Sequence, residues 1–279
     1  MKVSLIINKD KTRAIETAQR VAQELSSLNA EVYTCADCPI EGTTVMDTAE
    51  DVIRICDIAV TVGGDGTIIH NAKFAALYEK PLLGINLGRV GFVANLEPDE
   101  LNELHNLIEG GYRIQKRMLL DISIEKDGEE QHFTAVNEAV LHRDSLSNMV
   151  DIAVELNGER IISYRADGMM FSTPTGSTAY SFSAGGPVIE PDMHCILLTP
   201  VCPQALSSRQ VVFGEDSVLS ARVHPESNLK CYLTVDGQHY VPVSSDDRIT
   251  VRKSPLELQL IILKEKNFYT LLNEKLKEF

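Results

Sequence analysis

Residues 58–67 read IAVTVGGDGT, and this stretch decides the fold class. Its first five residues are apolar or β-branched and predict a buried strand, which runs directly into the glycine-rich segment 63–67. A helix is predicted to follow, with the hydroxyl of Thr67 as its N-cap. A strand, a glycine loop and a helix in this order are typical of a parallel α/β sheet, which binds ligands where its strands end.

The flanking sequence extends this pattern and then changes it. Residues 3–7, 31–34 and 82–86 predict further buried strands, whereas beyond about residue 115 the apolar residues alternate with polar ones, as in an antiparallel sheet. We therefore predict an α/β plus all-β architecture. A Rossmann-like parallel α/β domain occupies residues 1–115, an antiparallel β-sandwich occupies residues 116–265, and an amphipathic helix in residues 266–279 packs back on the first domain.

Composition excludes several classes of protein. The 279 residues are 44% hydrophobic and 24% charged, which is typical of a globular chain, and 26 basic against 40 acidic residues give a net charge of −14. Because non-specific binding to nucleic acid or to an anionic membrane needs clustered positive charge, neither partner is expected. The sequence contains no apolar run long enough to span a membrane.

The six cysteines predict a reducing compartment. They are scattered through a chain without a secretory signal, which favours reduced thiols and a cytoplasmic location. Cys35 and Cys38 have the spacing of half a zinc site, but the second pair that a zinc site needs is missing from the sequence. We interpret these two residues as structural thiols.

The glycine loop predicts phosphate chemistry. Gly63, Gly64 and Gly66 let a phosphate approach the backbone, although the loop is neither a Walker motif nor a G-x-G-x-x-G motif. Asp65 is unusual here, because a carboxylate repels phosphate unless it holds Mg²⁺ or accepts the proton of an attacking hydroxyl. The alternative is a tight turn in which Asp65 bonds its own backbone. His70 and Lys73, on the predicted helix, are candidate phosphate contacts or plain surface residues.

A second informative stretch lies in the β region. Residues 165–187 read RADGMMFSTPTGSTAYSFSAGGP and combine hydroxyls and glycines with a tyrosine, Tyr180. Such a loop suits a ribose and the edge of an adenine, with Tyr180 able to stack or to form a hydrogen bond. Plain β-hairpin turns are the alternative. Residues 137–138, an Asn-Glu pair after a strand-like run, are uninformative alone.

Together these segments resemble the NAD kinase family, which phosphorylates the adenosine 2′-hydroxyl of NAD. The resemblance rests on residues 63–67, 137–138, 167–186, 198–209 and 236–238, and so covers nearly the whole chain in order. Lipid kinases of the diacylglycerol type and phosphofructokinases carry close relatives of the GGDGT element. The STPTGSTAYSFSAGGP run is specific to the NAD kinase family.

The resemblance implies roles for individual residues. Asp65 would accept the proton of the 2′-hydroxyl, with Gly66 lining the same loop. Further NAD-binding positions are implied at Asn137, Glu138, Asn148, Arg165, Asp167, Thr178, Ala179, Tyr180, Ser181, Phe182, Ser183 and Gln238. Of these, Asn137 would face the adenine, whereas Arg165 and Asp167 would reach the nicotinamide end in a neighbouring subunit's site. The arginine at position 165 resembles the residue found there in family members that prefer NAD⁺ over NADH.

The phosphate donor would bind near Gly63, Gly64, Thr67, His70 and Lys73. Relatives often have arginine at the position of His70 and histidine at that of Gln204, so this sequence departs from the family pattern at the donor contacts. The implied substrates are NAD⁺ and ATP, another nucleoside triphosphate or polyphosphate. Mg²⁺ or another divalent cation would sit on the donor phosphates without fixed protein ligands, and the implied assembly is a homodimer or a homotetramer.

Three other functions differ from this one in the residues or motifs that they require. A lipid or sugar kinase would need an acyl cleft or an arginine-rich sugar-phosphate site, and residues 165–187 contain neither. A dehydrogenase would need G-x-G-x-x-G and a ribose-binding acid about 20 residues later. A nucleotide sensor would keep the pocket but would not depend on Asp65.

Overall fold

The computed structural model describes residues 1–88, 91–126, 128–144, 148–224 and 230–277. It divides into two compact units, which we call the first unit (Met1–Arg117 with Glu257–Phe279) and the second unit (Met118–Leu256). The chain returns to the first unit nine residues earlier than the predicted border at residue 266.

The elements follow one another in chain order. The strands are β1 (Lys2–Ile7), β2 (Glu31–Cys35), β3 (Thr44–Met46), β4 (Ile58–Gly63), β5 (Leu82–Asn86), β6 (Arg113–Lys126), β7 (Glu129–Ala135), β8 (Glu138–Arg143), β9 (Val150–Leu156), β10 (Glu159–Ala166), β11 (Gly168–Ser172), β12 (Cys195–Val201), β13 (Val211–Gly214), β14 (Leu219–Val223), β15 (Cys231–Val235), β16 (His239–Val243) and β17 (Arg248–Ile262). The helices are α1 (Ala14–Ser27), α2 (Ala49–Ile55), α3 (Asp65–Leu77), α4 (Leu104–Glu109), α5 (Tyr180–Ser183) and α6 (Phe268–Lys277).

The first unit is built on a parallel sheet. Its strands lie in the order β3-β2-β1-β4-β5, and the end of β17 pairs in parallel with β5 at Leu260 and Leu82. Every residue of β4 and β5 is buried, as expected for central strands covered on both faces. The predicted α/β layering is confirmed. The sequence patterns missed β3 and α2, because the three residues of β3 are largely exposed and α2 is only seven residues long.

The second unit consists of two antiparallel layers. One has the order β13-β12-β11-β8-β15-β16, and the other contains β10, β9, β14 and β17, with β6 pairing with both β17 and β7. Inward-facing residues of both layers, such as Ile122, Ile152 and Leu198, form one core cluster. The predicted sandwich is therefore confirmed. The loop after β11 contains a short 3₁₀ turn (Thr175–Thr178) followed by α5, rather than plain β-hairpin turns.

α6 lies in the first unit, as predicted, with the ring of Phe268 5.8 Å from that of Phe92. Cys35 and Cys38 are buried free thiols, and burial raises the pKa of Cys35 to about 12, so its thiolate is disfavoured. In the part of the chain that the structure describes, the helices are too short or too polar to cross a bilayer.

Candidate functional site

The glycine loop begins α3 earlier than the sequence suggests. Gly64 is the N-cap residue in an extended conformation, and Asp65 is the first helical residue. The expectation that Thr67 caps the helix is therefore wrong, because the helix starts two residues before it. The Thr67 hydroxyl instead accepts a hydrogen bond from Asn8 Nδ2 at 3.1 Å. A β-carbon at Gly63 would overlap the Thr67 side chain, so this contact requires a glycine.

The Asp65 carboxylate is fixed by a distant loop. Its Oδ2 accepts a hydrogen bond from the N–H of Phe92 at 2.8 Å, and its Oδ1 accepts longer ones from Val93 at 3.3 Å and Ala94 at 3.4 Å. The turn-like alternative, in which Asp65 bonds its own loop, is not what these contacts show. A carboxylate has about four acceptor positions, so about one remains for a ligand hydroxyl.

Asp65 lines a cavity of about 590 Å³ at the end of the parallel strands. Its described lining also includes Lys11 and Lys275, and the remaining members are Asn8, Gly64, Gly66, Thr67 and Gly88. Lys275 Nζ lies 3.9 Å from Asp65 Oδ2. The cavity therefore combines a carboxylate, two ammonium groups and the backbone at the start of α3. The predicted residues Gly64, Asp65, Gly66 and Thr67 meet here.

Sequence reasoning missed the two lysines of this cavity. Lys11 follows the carboxyl end of β1, the strand beside β4, so the position of neighbouring strand ends could have suggested it. Lys275 comes from α6, and nothing local in the sequence points to it.

Two other predicted donor contacts, His70 and Lys73, are absent from the described lining of this cavity. His70 lines an adjacent cavity of about 330 Å³ together with Gly66, Thr67 and Asn71. Lys73 is absent from the described lining of both cavities, and its Nζ lies 5.0 Å from the ring centroid of Phe74. The structure therefore brings His70 near the glycine loop but not Lys73.

In the second unit, Asp236 organises the Asn137-Glu138 turn. Its carboxylate accepts hydrogen bonds from the N–H groups of Val136 (2.8 Å), Asn137 (2.8 Å) and Glu138 (3.0 Å). Asp236 itself has a positive φ of 46°, a backbone conformation that aspartate tolerates better than most residues. Two segments singled out from the sequence, 137–138 and 236–238, are thus joined by two of these hydrogen bonds.

The hydroxyl-rich stretch packs on the same turn. Thr173 donates from its hydroxyl to the carbonyl of Val136 at 2.6 Å and from its N–H to the carbonyl of Asn137 at 2.9 Å. A β-carbon at Gly176 would overlap the backbone of Asn137, so the two segments approach as closely as a glycine permits. Segments 137–138, 167–186 and 236–238 therefore converge within the second unit.

A cavity of about 470 Å³ lies beside this convergence. It is lined by three predicted residues, Glu138, Asp167 and Tyr180, and also by Val140, His142, Arg143, Asp144, Val201, Cys202, Thr234, Gly237 and Tyr240. Arg143 Nε donates to Asp167 Oδ1 at 2.8 Å. Glu138, Val140 and His142 alternate along β8, so the period of two along a strand could have identified His142 once Glu138 was chosen.

Glu138 is the most perturbed acid of this region. It is 8% exposed, and burial, together with the nearby Asp236 carboxylate, raises its pKa to about 8. Its buried Oε2 has no hydrogen-bond partner among the residues that the structure describes. An unpaired buried polar atom is costly, so this oxygen is suited to form a hydrogen bond with a ligand hydroxyl, as donor or as acceptor.

The remaining predicted residues differ in how far they are buried. Ser181 is fully buried and its hydroxyl pairs with that of Thr199 at 3.0 Å, so the side chain belongs to the interior. Asn148, Arg165, Phe182 and Ser183 are exposed, whereas Asn137, Thr178, Ala179 and Gln238 are partly exposed; none of these eight lines the described cavity. In the described ranges, no three His, Cys, Asp or Glu side chains converge as metal ligands.

Comparison with known proteins gives one consistent result. Residues 3–112 match the family model of the ATP-NAD kinase N-terminal domain, and residues 136–263 match that of the C-terminal domain. An NAD kinase of Natranaerobius thermophilus is 36% identical over 278 residues, covering 98% of this chain and 97% of its own. An NAD kinase of Heliobacterium modesticaldum is 36% identical over 285 residues, covering 99% and 98%.

Two solved structures are similar over the whole chain. Yeast NADH kinase, complexed with NADH, gives a TM-score of 0.85 at 26% identity and covers 99% of this chain and 88% of its own. An NAD kinase from Archaeoglobus fulgidus, in complex with ATP, gives a TM-score of 0.78 at 25% identity and covers 100% of both chains.

Proposed function

Because the chain belongs to the NAD kinase family, we propose that it transfers the terminal phosphoryl group of ATP, another nucleoside triphosphate or polyphosphate to NAD⁺. The acceptor is the 2′-hydroxyl of the adenosine ribose, and the product is NADP⁺. A bond forms between the 2′-oxygen and the terminal phosphorus, the bond to the bridging oxygen breaks, and the shortened donor leaves. The hydroxyl proton passes to Asp65.

The observation that carries this proposal is the fixed orientation of the Asp65 carboxylate. Three backbone N–H groups of residues 92–94 hold it beside the 590 Å³ cavity, with acceptor capacity left for one hydroxyl. Phosphoryl transfer through a loose transition state needs alignment and charge stabilisation more than covalent help. A preoriented proton acceptor supplies the alignment.

A divalent cation fits this scheme as part of the donor. Among the described lining residues of the cavity, Asp65 alone carries a carboxylate, which is too little for a protein metal cage. Mg²⁺ or another divalent cation bound to the donor phosphates would supply charge neutralisation there.

For NAD⁺ we propose the second unit. Support comes from Glu138, whose unpaired Oε2 can form a hydrogen bond with a ribose hydroxyl, and from Tyr180, which is 48% exposed and able to stack on a base. Asn137, Asn148, Arg165, Asp167, Thr178, Ala179, Phe182, Ser183 and Gln238 remain proposed contacts. The buried side chain of Ser181 is withdrawn from this set, although its backbone stays available.

The proposal extends to assembly and location. Arg165 is exposed on β10, which lies at the edge of its layer, as a residue that reaches a neighbouring subunit's site should be. A homodimer or homotetramer is therefore proposed. A cytoplasmic location is supported by six free cysteines, five of them buried.

The decisive experiment incubates the purified chain with NAD⁺, Mg²⁺ and ATP or polyphosphate and measures NADP⁺. We expect NADP⁺ from the wild type and a roughly 10²–10⁴-fold lower turnover from Asp65→Asn, the range for loss of a general base. Binding of NAD⁺ should persist in this variant. A wild type that binds NAD⁺ without forming NADP⁺ would instead be a nucleotide sensor, and near-normal turnover in Asp65→Asn would remove the assigned role.

A further inference from the structure

The cavity beside Asp65 is a local concentration of positive charge in an acidic protein. The chain carries a net charge of −14, yet Lys11 and Lys275 both line this cavity. Placed cations of this kind are what an acidic protein needs in order to hold a polyanion. Of the two, Lys275 lies beside the carboxylate of Asp65.

The position of Lys275 depends on the same loop that orients Asp65. Lys275 Nζ lies 4.4 Å above the ring centroid of Phe92, and the ring of Phe268, at the start of α6, lies 5.8 Å from that ring. Phe92 also donates its N–H to Asp65 Oδ2. One residue therefore orients the carboxylate through its backbone and the ammonium group through its side chain.

The ammonium group of Lys275 retains donors for a ligand. Its 3.9 Å distance from Asp65 Oδ2 exceeds that of a direct hydrogen bond, and its side chain is 28% exposed. Asp65 already receives hydrogen bonds from the backbone, so it does not need Lys275 as a partner. The three N–H donors of the ammonium group can therefore reach another acceptor in the cavity.

We propose that Lys275 binds the terminal phosphate of the phosphoryl donor. The inference rests on the proposed function: if Asp65 accepts the proton of the attacking hydroxyl, the transferred phosphoryl group must lie beside it. Its equatorial oxygens carry negative charge that the Asp65 carboxylate would repel. Lys275 offsets this repulsion, because its positive charge is adjacent to both groups.

The test compares Lys275→Ala with Lys275→Arg and with the control Lys277→Ala, an exposed lysine of the same helix. Steady-state kinetics give the KM for ATP at saturating NAD⁺, and calorimetry gives the affinities for inorganic tripolyphosphate with Mg²⁺ and for NAD⁺. For Lys275→Ala we expect a roughly 10- to 100-fold higher KM for ATP and a correspondingly lower affinity for tripolyphosphate, as loss of one charge-assisted hydrogen bond implies. The affinity of Lys275→Ala for NAD⁺ should stay close to that of the wild type. In Lys275→Arg and Lys277→Ala, all three values should stay close to those of the wild type.

The possible failures are distinguishable. A wild type that forms no NADP⁺ overturns the proposed function. A wild type that forms NADP⁺, with equal tripolyphosphate affinity in Lys275→Ala, overturns only the role of Lys275. A fall in kcat with unchanged tripolyphosphate binding also overturns it, because Lys275 would then act only on Asp65.

Discussion

Gly91 packs against Asp65 so closely that a β-carbon at position 91 would overlap Oδ1 of the carboxylate. The glycine therefore permits the approach through which residues 92–94 orient that carboxylate. Gly91→Ala should displace it while leaving its charge intact. Because misplacement of about 1 Å can cost roughly 10²-fold in rate, we expect a loss of kcat of that order, with NAD⁺ affinity retained.

A matched glycine makes this prediction specific. Gly214, on β13, has open space where a β-carbon would lie, so Gly214→Ala should leave kcat unchanged. If Gly91→Ala also keeps wild-type kcat, the close contact with Asp65 does not orient the carboxylate.

Glu138 should make the stability of the fold depend on pH. Its pKa is raised from 4.5 to about 8 in the folded chain, chiefly by burial. As pH rises from 4.5 to 8, the unfolded chain loses this proton while the folded chain keeps it, so the free energy of unfolding falls. Glu138→Gln removes this contribution. Its thermal stability relative to wild type should therefore improve steadily between pH 5 and about pH 8, as measured by calorimetric Tm.

The control for Glu138 is an exposed glutamate of the same unit. Glu129, on β7, is exposed, so Glu129→Gln shows what the same substitution does to Tm where no buried carboxyl is removed. A Glu138→Gln curve parallel to that of wild type would show that the buried carboxyl titrates normally.

Tyr180 should contribute to NAD⁺ binding more than to folding. It is 48% exposed and lines the cavity that contains Glu138 and Asp167. Loss of base stacking costs about 1–3 kcal/mol, so Tyr180→Ala should raise the KM for NAD⁺ roughly 5- to 150-fold with little change in Tm. Tyr180→Phe separates the ring from the hydroxyl, since it retains stacking. An unchanged KM in Tyr180→Ala would contradict this placement.

Gly176 should be required for the second unit to hold its binding loop. A β-carbon there would overlap backbone atoms of Asn137, which cannot yield as a flexible side chain would. Gly176→Ala should therefore lower the free energy of unfolding by about 1–3 kcal/mol and also weaken NAD⁺ binding. Denaturant unfolding and calorimetry measure the two effects. Wild-type values for both would mean that the loop moves without consequence.

Local patterns predicted much of this molecule. The strand, glycine loop and helix around Asp65 follow from ten consecutive residues, and the period of two identified the sandwich. The end of the inserted unit was placed too late because β17 alternates without a break while its pairing changes from β14, at Val251, to β5, at Leu260. No local signal marks such an exchange of neighbours.

The site was predicted less completely for a related reason. Gly91 and Lys275 act on Asp65 across 26 and 210 residues of sequence, and contacts of that range have no periodicity. Ser181 differs in another way, because its side chain is buried. It belongs to a specific motif, but a motif combines residues that face the ligand with residues, such as this one, whose hydroxyl stabilises the loop from inside.

The insertion of one unit into the other constrains biosynthesis. The ribosome produces Met1–Arg117 first but delivers Glu257–Phe279 only after the whole intervening unit has emerged. Until then Leu82 lacks its partner Leu260, and an unpaired strand edge invites association between nascent chains. The first unit is therefore begun first and completed last. A premature stop just after residue 256 would leave a complete second unit attached to an incomplete first unit.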